Sequence, residues 1–240
     1  MSDAEIKQTS IAELYDEWHG PRVEGASPTN PWHRLTLTHL GDVTGLRVLE
    51  IGCGVGEFSQ LLAERGARVI GADISPLAVE ETGHRLEGYE GTEAIVADIC
   101  AVPFRDESFD LVVSLETIEH SADPRKALAE LVRVTRRGGR LIVTNPNYVD
   151  FIGLYRLAKR IFGRQFSEAG QPINKWTTLL GSVWHLNRLG CRIDIVDGTH
   201  FVLPIPFWRS LDISWIDHPH VVAKWIAHHG LVAARRRSSQ

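Results

Sequence analysis

Hydrophobic positions along the chain change period several times, and those changes mark out the elements. Ile6, Ile11, Leu14, Tyr15 and Trp18 recur at near-helical spacing and predict a helix up to Gly20-Pro21. A turn-rich stretch follows to Pro31, where a second short helix starts with Asn30 as N-cap and proline at the first helical position. From Leu46 onward, short apolar runs alternate with amphipathic ones. Arg47–Ile51, Arg68–Ala72, Glu93–Ala97, Phe109–Leu115 and Arg140–Thr144 predict five strands. Helices ending near Arg65 and spanning 76–86 and 124–136 fall between them. Such alternation predicts βαβ units: an α/β, Rossmann-like, doubly wound sheet that is mostly parallel. Beyond Asn145 the rhythm breaks. An amphipathic helix at 148–163, a helix near 176–189, a strand at 192–196, a Pro/Trp-rich stretch to Pro219, a short helix and a last strand at 230–234 complete the pattern. Seven strands result, with N-terminal helices and a helical insertion after strand five.

Composition narrows this picture. The 240 residues suit one domain: a helical cap to residue 44, a core over 45–145 and a second part over 146–240. The 43% hydrophobic and 23% charged content excludes wholesale disorder. No apolar run reaches the ~20 residues of a membrane span, and the N-terminus lacks a signal-peptide layout. A net charge of −4 argues against a generic nucleic-acid binder. Cys53, Cys100 and Cys191 are odd in number and far apart; they suggest a reducing cytoplasm rather than a disulfide or zinc framework.

The glycine-rich run Gly52-Cys53-Gly54-Val55-Gly56 between a strand and a helix carries the chemistry. Glycines there let the backbone approach a ligand and adopt positive φ, and the helix N-terminus offers unpaired N–H groups. Asp73 ends the second strand, where nucleotide-binding folds place a carboxylate on ribose hydroxyls, and Asp98 ends the third. A plain tight turn and a nicotinamide-dependent dehydrogenase are the alternatives. Against the latter, Glu57 follows Gly56, and an acid before the loop suits a cationic cofactor better than a pyrophosphate.

Glu50-Ile-Gly-Cys-Gly-Val-Gly, Gly71-Ala-Asp73-Ile-Ser, Ala97-Asp98-Ile99, Phe109-Asp110-Leu-Val-Val-Ser-Leu115 and the Arg137–Asn145 turn resemble, in order, the motifs of class I S-adenosylmethionine-dependent methyltransferases. The resemblance implies a seven-stranded sheet whose last two strands form an antiparallel edge hairpin, with S-adenosylmethionine as methyl donor and S-adenosylhomocysteine as product. It places Gly52, Cys53 and Gly54 by the methionine moiety, Asp73 and Ile74 at the ribose, Asp98 and Ile99 at the adenine, and Leu115 at the sulfonium. Glu50 would hold the amino group indirectly.

Glu116-Thr-Ile-Glu119-His120 with Asp123-Pro124, and Trp32-His33-Arg34-Leu35 upstream, further resemble small-molecule O-methyltransferases of the ubiquinone-biosynthesis type. That likeness implies Arg34 near the cofactor carboxylate and a small-molecule acceptor taking the methyl on oxygen; nitrogen or carbon methylation, or a binding module without turnover, stays open. His120 is the first candidate base, with Glu116 beside it, because a hydroxyl acceptor must lose its proton; a helix-entry cap is the alternative role. A divalent metal on Glu116, Glu119 and His120 is a further alternative. His33, Glu119, Tyr148 and Trp208 are candidate pocket residues; His33, His185 and His200 are secondary candidates for the base, with ordinary surface positions as the alternative; and Phe201, Phe207, Trp208 and Trp215 read as an aromatic pocket lining or as core packing. The basic amphipathic run 148–164 reads as a packed helix, a lid over the acceptor, or a peripheral membrane contact. Five of the seven tryptophans follow Asn145, which directs the search for acceptor specificity there.

Overall fold

The computed structural model describes residues 10–20, 30–148, 153, 161, 171–199, 202–203, 211–212, 225 and 227–238. The helix predicted at 148–163 (apart from Tyr148, Gly153 and Ile161), His200, Phe201, Phe207, Trp208, Trp215 and the helix before the last strand lie outside them.

Helix α1 (Ile11–His19) opens with a capping box: the Ser10 hydroxyl accepts from Glu13 N while the Glu13 carboxylate accepts from Ser10 N. Helix α2 (Pro31–Leu40) starts on a proline, as expected. Its last carbonyls are satisfied from a distance, because Arg140 Nη1 and Nη2 donate to Leu40 O and His39 O at 2.6 and 2.7 Å. Then β1 (Arg47–Ile51), α3 (Glu57–Ala63), β2 (Arg68–Asp73), α4 (Pro76–Leu86), β3 (Glu93–Val96), β4 (Phe109–Leu115), a 3-10 turn at Ile118–His120, α5 (Pro124–Val134) and β5 (Thr135–Pro146) follow in the predicted alternation. Helix α6 (Leu179–Arg188), β6 (Cys191–Thr199), the short pair β7 (Val202–Leu203) and β8 (Leu211–Asp212), and β9 (His229–Arg236) complete the described elements.

The main sheet has seven strands in the order β3-β2-β1-β4-β5-β9-β6. The first five are parallel; β9 inserts antiparallel between β5 and β6. Because β9 runs backwards, its first residue, His229, pairs with Pro146 at the carboxyl edge of the parallel strands. That reversal matters for the site.

Period-two alternation sends the strand side chains to two separate cores. Leu49, Ile51, Val112, Leu141 and Val143 face α5 and α6 through Leu128, Leu131 and Leu186. Val48, Val69, Leu111, Val113 and Ile142 face α2 and α3 through Leu40, Phe58 and Leu62. The same alternation turns Glu50 toward α3, where Ser59 Oγ bonds its carboxylate.

Several elements differ from the sequence expectation, most of them by a few residues at an end. Strand β5 starts at Thr135 rather than Arg140, because Phe109 pairs with Thr135 across a bulge, and it extends to Pro146 through pairing with β9. Helix α6 starts at Leu179 rather than near Trp176, since Thr178 caps it through Gly181 N and Thr177 is spent on Pro146 O. The β7–β8 pair arises within the stretch read as irregular.

Candidate active site

The carboxyl edge of the parallel strands gathers the glycine turn, Asp73, the 115–120 turn and the end of β5. Gly52, Gly54 and Gly56 have φ of 75°, 53° and 83°. At Gly52 a Cβ would stand 2.2 Å from the Thr117 side chain, so glycine is required where the first turn meets the turn after β4. Thr82 Oγ1 of α4 donates to Gly54 O at 2.9 Å and fixes the loop from behind. Asp73 accepts from Gly54 N at 2.9 Å and Ser75 N at 3.0 Å, which aims its carboxylate along the loop.

The electrostatics of this loop are one-sided. Glu50 is buried, and burial pushes its pKa up to about 8; the Ser59 hydrogen bond opposes that, and the nearby Asp73 and Glu57 add to it. Burial, then Asp73 and Glu50, also hold the Cys53 thiol well above its ordinary value. The Tyr15 hydroxyl is raised by burial and by Glu119. At Glu57, which follows Gly56, burial raises the carboxyl and Arg85 partly offsets it. Such a pocket is mismatched to a pyrophosphate and matched to a cation.

Helix α1 lies across this edge. Asp16 accepts from Ser75 Oγ and from Leu77 N at 3.2 Å, and Tyr15 donates to His120 O at 3.3 Å. His19 is buried, with Cε1 3.5 Å from where a Gly54 Cβ would stand. Sequence reasoning missed this roof, although the Ser10-x-x-Glu13 capping box signalled that α1 starts where it does.

Two carboxylate–histidine pairs follow β4. Glu116 has φ of +49°, a left-handed conformation uncommon outside glycine. Thr144 holds it there, accepting from Glu116 N through both its carbonyl (3.1 Å) and its hydroxyl (3.0 Å). This turn directs the Glu116 carboxylate to His229: Oε2 lies 2.7 Å from Nδ1, with both side chains about nine-tenths buried. Oε1 is buried with no hydrogen-bond partner among the described residues. The His229 ring also packs on Trp32, centroids 4.9 Å apart. No sequence signal near His229 marks it; it arrives 113 residues after Glu116 through the reversed direction of β9.

The second pair is Glu119–His120. His120 Nδ1 lies 2.7 Å from Ile173 O, and Nε2 lies 3.3 Å from Oε1 of the fully buried Glu119. Lys175 N donates to Glu119 O at 2.7 Å, so the pair fastens the turn after β4 to the segment preceding α6. Glu116 thus turns to His229 and away from Glu119 and His120. Among the described residues no three His, Cys, Asp or Glu side chains are grouped to hold a metal ion.

The other candidates fall as follows. Leu115 is buried at the end of β4, Ile99 is buried and Ile74 half-buried. Asp98 is exposed just beyond β3, its carboxylate accepting from Cys100 N at 2.7 Å. His33 is buried against Phe58, ring centroids 5.2 Å apart, whereas Arg34 lies on the exposed side of α2. Tyr148 is buried, donating to Asn174 at 3.0 Å and stacking on Trp176. His185 lies on α6, away from the loop, its pKa lowered by burial and by Arg125 and Arg188.

A glycine turn, an acid at the end of β2 and a cation-matched pocket at the carboxyl edge define a nucleotide-cofactor site of the doubly wound class. Comparison with known proteins narrows the class. A family model described as the methyltransferase domain matches residues 49–143. The demethylmenaquinone methyltransferase of Renibacterium salmoninarum is 36% identical over 148 residues, 60% of each chain. That of Beutenbergia cavernae is 31% identical over 175 residues, 67% of this chain and 72% of the relative. The solved complex of the Haloferax volcanii Trm112 methyltransferase activator and the putative methyltransferase superposes with a TM-score of 0.72 at 19% identity, over 96% of this chain and 99% of that one, a likeness of fold. The chain belongs to the class I S-adenosylmethionine-dependent methyltransferases. It spans 46–63% of the length of three of the demethylmenaquinone methyltransferases it matches.

The residues present fit that family's cofactor. Its sulfonium and ammonium groups are cationic; Asp73 lies against a turn whose glycines leave the backbone accessible, and a bound cation would draw the proton from the buried Glu50 carboxyl.

Proposed function

We propose that the chain transfers a methyl group from S-adenosylmethionine to a small organic acceptor, and that Glu116–His229 takes the acceptor's proton. The 2.7 Å contact between Glu116 Oε2 and His229 Nδ1 carries this reading. Bound at the glycine turn, S-adenosylmethionine supplies a methyl group already activated as a sulfonium. What remains for the protein is to position the nucleophile and remove its proton.

In the His229 tautomer we assign, Nδ1–H donates to Glu116, and the proton is taken up at Nε2. The acceptor's hydroxyl proton moves to Nε2 as its oxygen attacks the methyl. The imidazolium that forms is stabilised by the Glu116 carboxylate, already in place and shielded from water. Thr144 holds the strained Glu116 backbone, and Thr117, next in sequence, packs on Gly52, so base and cofactor loop share one rigid turn. Glu116 keeps the catalytic role expected of it, while the proton acceptor moves from His120 to His229. His120 and Glu119 instead position the wall of the acceptor pocket formed by 173–176.

The names of the relatives support a quinone-type ring as acceptor. The reduced form of such a ring carries hydroxyls, and its phenolate is nucleophilic at oxygen and at the adjacent ring carbon. One base therefore serves either product, and identification of the methylated atom decides between oxygen, the expectation from sequence, and the ring carbon that a demethylated quinone offers.

Titration calorimetry with S-adenosylmethionine, with NADH as control, tests the cofactor. Tight NADH binding without S-adenosylmethionine binding overturns the reading. Cell extract incubated with the chain and methyl-labelled S-adenosylmethionine, followed by mass and NMR identification of the labelled product, names the acceptor and the methylated atom. Cofactor binding with no labelled product from any extract would make the chain a binding module instead.

A further inference from the structure

Charge and exposed apolar surface coincide in one part of the chain. Residues 151–193 contain seven Lys and Arg against a single acid, Glu168. That segment is +6 in a chain of net charge −4, which leaves −10 for the rest. Among the described residues five large hydrophobic side chains are exposed: Val96, Ile161, Trp176, Leu180 and Trp184. Four of the five fall within the same cationic segment.

Helix α6 shows how the surface is built. Leu179, Ser182 and Leu186 are buried against the sheet and α5. Leu180, Trp184 and Arg188, spaced four residues apart, share the opposite, exposed face. Leu180 and Trp184 are 58% and 52% exposed, and the Arg188 guanidinium lies 4.7 Å over the Trp184 ring. Lys175 and Trp176 are also exposed just before the helix, Trp176 at 47%. Nothing in the packing of α6 calls for indoles on its outer side.

We propose that this face of α6, with Lys175 and Trp176, docks on an anionic lipid surface. Indole rings with adjacent Lys and Arg suit the boundary between headgroups and acyl chains, and Leu180 supplies an aliphatic group that hydrocarbon takes up. Lys175 and Arg188 on this face complement negative headgroups, whereas a second copy packed about a two-fold axis would set the same cations against each other. The contact expected from sequence at 148–164 lies largely outside the described residues, and the face proposed here is a separate one at 175–188. The face adjoins the site, since Trp176 stacks on Tyr148 and the preceding residues bond Glu119 and His120. An acceptor dissolved in the bilayer would enter there.

Co-sedimentation of the full chain with vesicles tests this without any acceptor. Vesicles of phosphatidylcholine with a quarter phosphatidylglycerol should pellet at least tenfold more protein than pure phosphatidylcholine, with a blue shift of tryptophan emission. Raising the salt to about 0.5 M should weaken the binding, because the Debye length falls to a few ångströms. Leu180→Ser with Trp184→Ser, and separately Arg188→Glu, should each reduce binding about tenfold while leaving the melting temperature and S-adenosylmethionine affinity unchanged. Val96→Ser, exposed at β3 on the opposite edge of the sheet, should leave binding unaltered. Equal binding to both vesicle types, or binding indifferent to these α6 substitutions, overturns the proposal. So does a solution dimer that the same substitutions dissociate, or tighter retention on a single-stranded oligonucleotide than on anionic vesicles.

Discussion

Glu116–His229 and Glu119–His120 are chemically alike and lie three residues apart on the glutamate side, yet the fold uses them differently. In the local pair, His120 gives Nδ1 to Ile173 O and the backbone carbonyl of Glu119 accepts from Lys175 N, so the turn is tied to the segment before α6 with the Glu119 carboxylate buried beside it. In the long-range pair, a strained residue just after β4 meets a histidine from the reversed strand β9, beside the turn that packs on the glycine loop. Sequence proximity assembles a fastener; tertiary structure assembles a proton acceptor.

Substitutions in the two pairs should separate these roles. His229→Ala and Glu116→Gln are expected to lower turnover of the identified acceptor by about 10²–10⁴-fold, the usual worth of a positioned general base. S-adenosylmethionine affinity, read by calorimetry, should stay within about threefold, since neither residue lies on the glycine turn. His120→Ala should reverse that pattern. It is expected to cost about 2–5 kcal/mol of stability by stranding Glu119 in the interior, measurable by denaturant unfolding, while turnover per folded molecule changes less than tenfold. Loss of turnover in His120→Ala with His229→Ala unimpaired would exchange the two assignments.

Glu50 contributes a pH dependence distinct from either pair. Its carboxyl is pushed up to about 8 in the folded chain from an ordinary value near 4.5. Between those values the native state holds a proton that the unfolded state has lost, so stability falls as pH rises. The stabilisation is fully present below about 4.5 and is lost by about 8, with a slope of at most about 1.4 kcal/mol per pH unit. Urea unfolding of the cofactor-free chain from pH 5 to 9 should show this decline, and Glu50→Gln should flatten it. Thr144→Val should have the smallest effect. It removes one of the two hydrogen bonds that hold Glu116 in its left-handed conformation, at a cost of about 1 kcal/mol, and should slow turnover a few-fold. A larger loss of turnover than of stability there would mean that the Glu116 geometry, rather than its charge alone, sets the rate.

The cofactor half was legible because its signals are local. Glycines at 52, 54 and 56 are needed for positive φ, Asp73 ends a strand, and apolar runs of four to seven residues alternate with amphipathic helices. Each can be recognised within a ten-residue window. The acceptor side was less legible for the opposite reason. Trp176 and Trp184 drew attention there, yet nothing local says that Tyr148 is buried against Trp176 or that Arg140 satisfies the end of α2. Helix α1 carries an explicit start signal in Ser10 and Glu13, but its place over the glycine turn depends on Asp16 reaching Ser75.

Local chemistry in the sequence therefore determined the alternating fold, the glycine turn and the acids beside it. Which histidine stands beside Glu116 was decided only by tertiary structure. Side-chain direction in a strand follows from period-two alternation, but the partner it meets depends on strand order and direction, and β9 enters the sheet reversed between β5 and β6. That single reversal brings residue 229 to residue 116.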